Sequence, residues 1–297
     1  MQNSPLVSII CICYNHSQYV IESLESVKNQ SYNNIEILIA DDCSNDISVE
    51  VIKNWVAQNK TSHFIQNSTN LGNTKTFNKA LSLTKGDYII DFACDDVLVN
   101  DCVEKQVNQF KNSKFENLAI VYGNLELISA DGNFIKYYYD VDQNKKTLKL
   151  PPSGDIYESI VGQKEKICSV TAMIKRKVFD KIGSYDENLA YEDLDFWIRA
   201  AREYNFDFID SVLAKKRELP NSLGSQFFIK ENKKINYSTY LILQKTFSLN
   251  KTKSEHQSLL KRVHGEMYSA FYKKNWKVLL LLSFLKLKIS WQLLLKK

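Results

Sequence analysis

Two stretches decide the fold: residues 35–42, IEILIADD, and residues 88–96, YIIDFACDD. Each is a hydrophobic run of strand length that ends in a pair of aspartates. Ligands of an open α/β sheet bind outside the carboxyl ends of its strands, so both aspartate pairs are predicted to line one crevice. Carboxylate oxygens suit Mg²⁺ or Mn²⁺, and Mg²⁺ is usually held by one or two carboxylates together with substrate phosphates. The pattern therefore indicates a site for a nucleotide and a divalent metal.

Strands and helices alternate through the first hundred residues. Predicted strands cover residues 6–13, 35–40, 63–65 and 88–93, and predicted helices cover residues 19–30, 51–56 and 74–83. This rhythm is typical of a mostly parallel sheet with right-handed crossovers. The strands are apolar throughout, as expected when helices cover both faces of the sheet. The predicted fold class is therefore α/β, with a mostly parallel central sheet flanked by helices.

The rhythm changes after about residue 115. Further strands are predicted at 118–122, 125–129, 134–139, 167–174 and 206–213, with a hairpin turn at 130–133, a short helix that ends at 182 and a helix over 192–203. From about residue 226 the pattern is helical. We therefore expect one α/β domain over residues 1–220 and a helical extension over residues 221–297.

The charge is unevenly distributed. The net charge is +5, but seven lysines lie after residue 272, where there is no acid, and the rest of the chain has 32 basic and 34 acidic residues. That part has no general basic surface, so nucleic-acid binding is not expected. Six cysteines without a CxxC pair indicate neither a zinc site nor a disulfide framework. Free thiols, and an N-terminus without signal-peptide features, predict a cytoplasmic protein.

A set of motifs follows in order along the chain. They are VSIICICYN at 7–15, IADDCSND at 39–46, NLG at 70–72, KGDYII at 85–90, ACDD at 93–96, GSYDE at 183–187 and YEDLDFWIR at 191–199. Each is weak alone, but in this order and spacing the chain resembles glycosyltransferase family 2 over roughly residues 5–215. The resemblance implies the GT-A fold. It also implies inverting, metal-dependent transfer of a sugar from a nucleotide-diphosphate sugar.

The resemblance also implies site residues. The nucleotide-sugar site would contain Ile12, Tyr14, Asp42, Asn70, Gly72 and Asp95. Tyr14 and Asp42 would contact the base, with Asp42 accepting a hydrogen bond from a ring N–H, and Asn70 and Gly72 would shape a loop near the donor. The alternatives are structural, because residues 41–46 have the composition of a turn and residues 70–72 could form a plain left-handed turn. We favour the site for Asp42; for Asn70 and Gly72 the two interpretations are equal.

Asp95 would be the metal ligand, as the second acid of the family's Asp-x-Asp signature. The Mn²⁺ or Mg²⁺ ion would stabilise the nucleotide diphosphate leaving group as a Lewis acid. The sequence departs from the signature, because Ala93 replaces the first acid, which contacts the ribose in many members. The alternative role of the Asp95-Asp96 pair is to cap a helix that starts near Asp101.

Glu192 and Asp193 would supply the general base, and Asp193 is our choice. An inverting displacement needs a carboxylate on the acceptor side that takes the hydroxyl proton. A helix amino terminus would direct this side chain toward the cleft. The alternative is that both are ordinary first-turn acids, which stabilise the helix dipole by about 0.3–1 kcal/mol.

Residues 273–297 form a lysine-rich, apolar tail. Its longest apolar stretch is about half of the ~20 residues that a spanning helix needs, so no transmembrane span is predicted. On one helix Lys286 would fall roughly opposite Lys277, which gives no single polar face, and two shorter helices with a bend also fit. The open alternatives are membrane contact and packing on the catalytic domain or a dimer partner. We favour peripheral contact with the inner face of the cell membrane, because no acid balances the lysines.

The predicted activity is inverting transfer of one sugar to a hydroxyl of a glycan acceptor. A lipid-linked precursor of a bacterial surface polysaccharide is the expected acceptor. Residues 1–115 would form the nucleotide-binding half of the catalytic domain, and residues 116–220 its acceptor-side half. The alternatives are a nucleotidyltransferase, although residues 14–17 are not a glycine-rich phosphate loop, and a catalytically silent sugar-binding or scaffolding subunit, which Ala93 supports a little.

Overall fold

The computed structural model describes residues 4–59, 62–163, 167–220 and 233–295. The chain divides into two compact units. The first consists of Met1–Gly154, Cys168–Tyr185 and Asn205–Glu218, and the second consists of Asp155–Ile167, Asp186–Tyr204 and Leu219–Lys297. The expected boundary at residue 220 remains a prediction about functional domains.

The first unit is built on one sheet. Within the described residues its strands are β1 (Val7–Cys13), β2 (Ile35–Asp41), β3 (Ser62–Gln66), β4 (Tyr88–Ala93), β5 (Val97–Leu98), β6 (Leu118–Ile128), β7 (Phe134–Tyr137), β8 (Met173–Lys175) and β9 (Asn205–Arg217). The spatial order is β3-β2-β1-β4-β8-β6-β9-β5, and β7 pairs with β6. Strands β3, β2, β1 and β4 are parallel, and β8 joins them in antiparallel fashion to the parallel pair β6 and β9. The predicted α/β class is confirmed.

Helices flank this sheet, as predicted. Those of the first unit are α1 (Val20–Lys28), α2 (Ser48–Gln58), α3 (Asn73–Leu81), α4 (Cys102–Asn112) and α6 (Arg176–Ile182). Helix α1 shows why they form, since Val20, Leu24 and Val27 recur at helical spacing and are all buried. Every residue of β1 is buried as well, as its unbroken apolar pattern requires.

The register aligns the carboxyl ends of three strands. Ile12 in β1 lies beside Ala40 of β2 on one side and Ala93 of β4 on the other. Two further backbone bonds extend the alignment, because Cys13 O accepts the Asp42 N–H at 2.9 Å and Ile12 O accepts the Cys94 N–H at 2.9 Å. The segments that carry Tyr14, Asp42 and Asp95 therefore leave the sheet at one edge.

The second half of the sheet differs from the predicted pattern. The two strands predicted at 118–122 and 125–129 are one strand, β6, whose pairing with β9 shifts register around Gly123 and Asn124. A Cβ at Gly123 would lie 2.6 Å from Leu213 Cδ1, so only glycine fits this close approach. In the sequence, this irregular stretch looks like a gap between two strands.

Only the end of the segment predicted as a strand at 167–174 is a strand, and a 3-10 turn precedes it. Ser169–Thr171 forms that turn and only Met173–Lys175 is strand. The Thr171 hydroxyl explains the turn, because it lies 3.0 Å from Cys168 O and accepts the Gly123 N–H at 3.1 Å. Helix α4 is the helix near Asp101 that the capping alternative assumed, and the short α5 (Tyr157–Val161) was not predicted.

The second unit is helical in its described part. Besides α5 it contains α7 (Asp193–Ala201), α8 (Lys233–Leu249), α9 (Lys253–Tyr272) and α10 (Trp276–Leu295). The predicted helical extension is confirmed from residue 233, while residues 221–232 and 296–297 lie outside the described residues. The tail is one continuous helix rather than two. Among the described residues, α10 alone is long and apolar enough to cross a membrane by length and composition, which corrects our sequence-based exclusion of such a helix.

Two glycines allow a test of this packing. Gly86 donates its N–H to Ser8 Oγ at 2.8 Å, and a Cβ there would lie 2.5 Å from the Ser8 backbone nitrogen. Gly86→Ala should therefore destabilise the fold by about 1–3 kcal/mol through overpacking. Gly265→Ala, within α9, is the matched control, because its Cβ meets nothing within 4 Å. It should stabilise by roughly 0.5–1 kcal/mol.

Calorimetry of the wild type and both variants would check this pair. We expect a lower melting temperature for Gly86→Ala and an unchanged or higher one for Gly265→Ala. Equal melting temperatures for the two variants would contradict the tight approach of Gly86 to β1.

Candidate functional site

Asp42 is a buried carboxylate that holds the loop before α3. The residue is 3% exposed. Its Oδ1 accepts hydrogen bonds from Leu71 N at 2.8 Å, Thr76 Oγ1 at 2.8 Å and Asn67 Nδ2 at 3.0 Å. Its Oδ2 accepts the Gly72 N–H at 2.8 Å. Four donors thus compensate the loss of water around this charge and fix the loop at residues 70–72.

Gly72 has a backbone conformation that favours glycine. Its φ is +85° and its ψ is 158°, at the N-cap of α3. This lies outside the left-handed helical region, so the plain left-handed turn that we considered is not what forms. Asn70 Oδ1 also accepts the Gly72 N–H, at 3.1 Å. Asn70 and Gly72 are therefore brought to Asp42, as one loop.

The loops after β1 and β2 are bound to each other. Asp41 accepts bonds from both the backbone N–H and the hydroxyl of Ser44, so this acid of the first pair does form a turn. Asn15 Oδ1 accepts the Asn45 N–H at 2.7 Å. Tyr14, between these contacts and the end of β1, is 40% exposed. An aromatic ring therefore stands at the edge beside Ile12.

Asp95 lies beside a histidine that the sequence analysis did not assign. His16 Nε2 is 3.7 Å from Asp95 Oδ2, and both side chains are mostly buried. His16 Nδ1 is buried without a hydrogen-bond partner. No lysine or arginine pairs with the Asp95 carboxylate in the described part of the chain. Nor do three or more potential metal-binding side chains gather anywhere in that part.

Asp96 has a different role from its neighbour. It is 3% exposed, and its Oδ1 accepts the Arg217 backbone N–H at 2.8 Å. Burial, together with the nearby charge of Asp95, raises the pKa of Asp96 to about 8. It does not cap α4, whose N-cap residue is Asp101. The capping alternative for the second aspartate pair is therefore wrong, and Asp95 is the acid of the pair that remains available.

Arg217 organises the segment that carries Asp95. The guanidinium donates through Nε to Asp95 O at 3.0 Å, through Nη1 to Ala130 O at 2.8 Å and through Nη2 to Glu22 Oε2 at 2.7 Å. It also lies over the Tyr19 ring, 4.5 Å from the centroid. The residue is 3% exposed. Sequence reasoning missed it, and the available signal was a lone arginine at the end of a strand pattern.

Glu192 and Asp193 belong to the second unit. Glu192 is the N-cap residue of α7, and Asp193 is its first residue and is half-buried. Asp193 Oδ1 accepts the Leu194 N–H at 2.7 Å. Asp195, by contrast, is buried and paired with Arg199 at 2.7 Å and Lys245 at 2.9 Å. Its role is structural, which separates it from Asp193.

Half-buried Arg262 interacts electrostatically with Asp193. Burial lowers the pKa of Arg262 in α9, while the charges of Glu266 and Asp193 act in the opposite direction. Arg262 Nη1 donates to Ile160 O at 3.1 Å, and its Nε is buried without a partner. The opposite charges of Arg262 and Asp193 therefore attract each other.

Several known proteins are similar to this chain in sequence. The family model described as glycosyl transferase family 2 matches residues 8–183. An uncharacterized glycosyltransferase of Methanocaldococcus jannaschii is 30% identical over 241 residues, which cover 80% of this chain and 79% of that protein. An uncharacterized glycosyltransferase of Haemophilus influenzae is 32% identical over 201 residues, 68% of this chain and 74% of that protein.

Solved structures share the fold. TarS 1–349 of S. aureus, in complex with UDP-GlcNAc, is similar with a TM-score of 0.65 and 16% identity, over 90% of this chain and 73% of that one. The mannosyltransferase PcManGT from Pyrobaculum calidifontis, in complex with GDP-Man and Mn²⁺, is similar with a TM-score of 0.60 and 12% identity, over 96% and 88%. With the family match over residues 8–183, these findings show that the chain is a glycosyltransferase with the GT-A fold and belongs to glycosyl transferase family 2.

Proposed function

We propose that the enzyme transfers one sugar, with inversion, from a nucleotide-diphosphate sugar to a hydroxyl of a glycan acceptor. One observation carries the donor side of the proposal. The aligned carboxyl ends of β1, β2 and β4 bring the Asp42 loop and the Asp95–His16 pair to the same edge of the sheet, where α/β folds bind ligands. Family membership favours this function over the nucleotidyltransferase and silent-subunit alternatives.

The nucleotide would occupy the edge near Ile12, Tyr14 and Asp42. Tyr14 offers an exposed ring on which a base can stack. Asp42 Oδ1 already accepts three bonds, whereas Oδ2 accepts a single one, from Gly72, among the described residues. Oδ2 can therefore take a ring N–H from the base. The Asn70–Gly72 loop is held in place before the donor arrives, which lowers the ordering cost of binding.

A divalent cation fits the surroundings of Asp95. A mostly buried carboxylate with no lysine or arginine partner among the described residues is a costly group that a cation would satisfy. Asp95 would hold the Mn²⁺ or Mg²⁺ ion, and because Ala93 has no side-chain oxygen, the donor phosphates would supply most other ligands. When bound, the cation stabilises the departing diphosphate as a Lewis acid. His16 can donate an N–H to Asp95 or to a phosphate oxygen.

Asp193 would act as the general base. It takes the proton of the acceptor hydroxyl as that oxygen forms its bond to the anomeric carbon. The bond from this carbon to the diphosphate breaks on the opposite face, which inverts the configuration. Glu192, at the N-cap, would support the acceptor side.

The acceptor would be a lipid-linked glycan used for a bacterial surface polysaccharide, at the cytoplasmic face of the cell membrane. The exposed apolar side chains and the lysines of the C-terminal tail support this setting. In this proposal residues 1–220 are catalytic, and residues 221–297 are an extension that associates with the membrane. A homo-oligomer is compatible with the same chemistry.

Donor turnover is the first test. Nucleotide diphosphate release would be measured over a panel of nucleotide sugars, with Mn²⁺ or with EDTA. We expect metal-dependent turnover of one donor, reduced on the order of 100-fold or more by Asp95→Asn, because cation stabilisation of the leaving group contributes several kcal/mol. Asp101→Asn is the matched control, since it removes only an exposed pair with Lys105 at 2.9 Å. EDTA-insensitive turnover, or equal activity of the two variants, would contradict the role of Asp95.

The base is tested by transfer to an acceptor after the donor is known. Asp193→Asn should lower the transfer rate by about 10²–10⁴-fold, because an amide cannot take the proton. The thermal shift produced by the donor should stay as in the wild type. Glu192→Gln is the neighbouring control and should have a much smaller effect. A larger loss of transfer rate in Glu192→Gln than in Asp193→Asn would contradict this assignment and identify Glu192 as the base.

We expect Arg217 to position Asp95. Because substitution of a buried arginine also lowers stability, the test must measure metal dependence as well. Arg217→Lys should raise the Mn²⁺ concentration for half-maximal activity by about 10–100-fold, as loss of an outer contact to a metal site does. Arg176→Lys is the matched control, because Arg176 also binds backbone and side chain, at Gly86 O and Thr84 Oγ1, but does not contact Asp95. Both variants should melt at a lower temperature. A purely structural Arg217 would leave the Mn²⁺ dependence unchanged.

A further inference from the structure

Helix α10 has two apolar faces, and one of them is exposed. Its buried residues are Val278, Leu282, Leu285 and Ile289, and the helix contacts α8 and α9. The other face carries an outer stripe of side chains that recur every three or four residues and are 56–69% exposed: Trp276, Leu280, Phe284, Leu287, Trp291 and Leu294. A row of this length is much larger than the scattered apolar residues of an ordinary surface.

The stripe continues onto the end of α9. The Phe271 and Trp276 rings pack edge to face with centroids 5.7 Å apart. Tyr268, Phe271 and Tyr272 are 59–74% exposed. The apolar surface therefore covers the outer side of both helices near their connection, with aromatic rings at that end and Trp291 near the other.

Lysines border the stripe on both sides. Lys277 and Lys288 are exposed and are eleven residues apart, which places them along one border. Lys286 lies roughly half a turn away, along the other border. Lys273 and Lys274 precede the helix, and no acid follows Glu266 in the sequence. This arrangement explains why the tail has no single polar face: the lysines separate two apolar faces.

The charge decides between two occupants of the stripe. A second copy of the chain would pair the stripe with itself, as two-fold contacts do, and would bring two sets of lysines together without an acid in either helix. An anionic lipid surface instead attracts each lysine. Long lysine stems can lie along apolar surface while their charges reach the headgroups. Tryptophan, phenylalanine and leucine on one face of a helix that also carries lysines are typical of helices at the membrane–water interface.

The position of the lysines also argues for a helix in the membrane plane rather than across it. Lys286 and Lys288 lie in the middle of α10 and would fall near the bilayer centre of a spanning helix, where charge is costly. The face formed by Val278, Leu282, Leu285 and Ile289 is already covered within the second unit. Only the outer stripe is left for lipid, as in helices that insert one face at the headgroup boundary.

We propose that α10 lies in the plane of an anionic bilayer with its outer stripe inserted and its bordering lysines on the headgroups. This proposal rests on the proposed function and deepens it. It names the surface that would bring the enzyme to a lipid-linked acceptor. Membrane binding itself needs neither donor nor metal.

Flotation of the full chain with vesicles tests the proposal. We expect binding to phosphatidylcholine vesicles that contain phosphatidylglycerol, and weak binding to phosphatidylcholine alone. Leu287→Glu should weaken binding about tenfold or more, because it places a charge in the inserted face. Leu148→Glu is the matched control, an equally exposed leucine in the first unit, and should bind like the wild type. Lys286→Gln with Lys288→Gln should weaken binding by about fivefold per lysine and reduce its salt dependence.

Depth and orientation have their own readout. Brominated lipids should quench the exposed Trp276 and Trp291, whereas Trp55 and Trp197 are buried in the protein. Quenching should fall in Trp291→Phe. Release of the bound protein by alkaline carbonate is expected for an in-plane helix, and resistance to it would overturn the proposal in favour of a span. Absence of vesicle binding, or a dimer in solution that Leu287→Glu dissociates, would also overturn it.

The proposed function is assessed separately. Release of nucleotide diphosphate from a soluble donor, without vesicles, should be the same in Leu287→Glu and the wild type. Vesicle binding without turnover would support the membrane proposal and contradict the transferase proposal. Turnover without vesicle binding would support the transferase proposal and contradict the membrane proposal.

Discussion

The requirement that a buried charge be fully hydrogen-bonded shapes the loop that precedes α3. Asp42 is almost inaccessible to water, and an unpaired carboxylate in such a place would be very costly. The Asn70–Gly72 loop and the start of α3 supply the compensating donors. The loop cannot leave this position without exposing or stranding the charge. A single carboxylate therefore holds a surface loop in one conformation through four hydrogen bonds.

The two aspartate pairs divide their work in the same way. In each pair one acid serves the fold and leaves its neighbour in a different environment. Asp41 closes the turn after β2, and Asp96 accepts the backbone N–H of Arg217. Arg217, which is 122 residues away in the sequence, then donates a hydrogen bond to the Asp95 backbone oxygen. The position of Asp95 thus depends on a buried guanidinium that binds its backbone oxygen and whose own charge is paired with Glu22.

Sequence reasoning succeeded where the physics is local. The runs at 35–40 and 88–93 are apolar, of strand length and bounded by aspartates, and both are strands. It failed where a distant contact decides. The β6–β9 pairing shifts register at Gly123, where Leu213 approaches closely, and the hydrogen bonds of Thr171 hold a strand-like segment in a turn. His16 and Arg217 were missed for the same reason, since their partners are far away in the sequence. In α10 the apolar residues lie on two faces, so the sequence pattern did not indicate which face is buried.

The Asp42 cluster has a consequence for how this sequence can vary. Asn67, Thr76 and the backbone of Gly72 all donate to the same carboxylate, and Gly72 has a conformation that side-chain-bearing residues rarely adopt. Removing the carboxylate strands several donors at once, and a second substitution among them then removes little more. The cost of any one change depends on which partners are still present. Substitutions at these positions are therefore epistatic, since the effect of each depends on the residues present at the others.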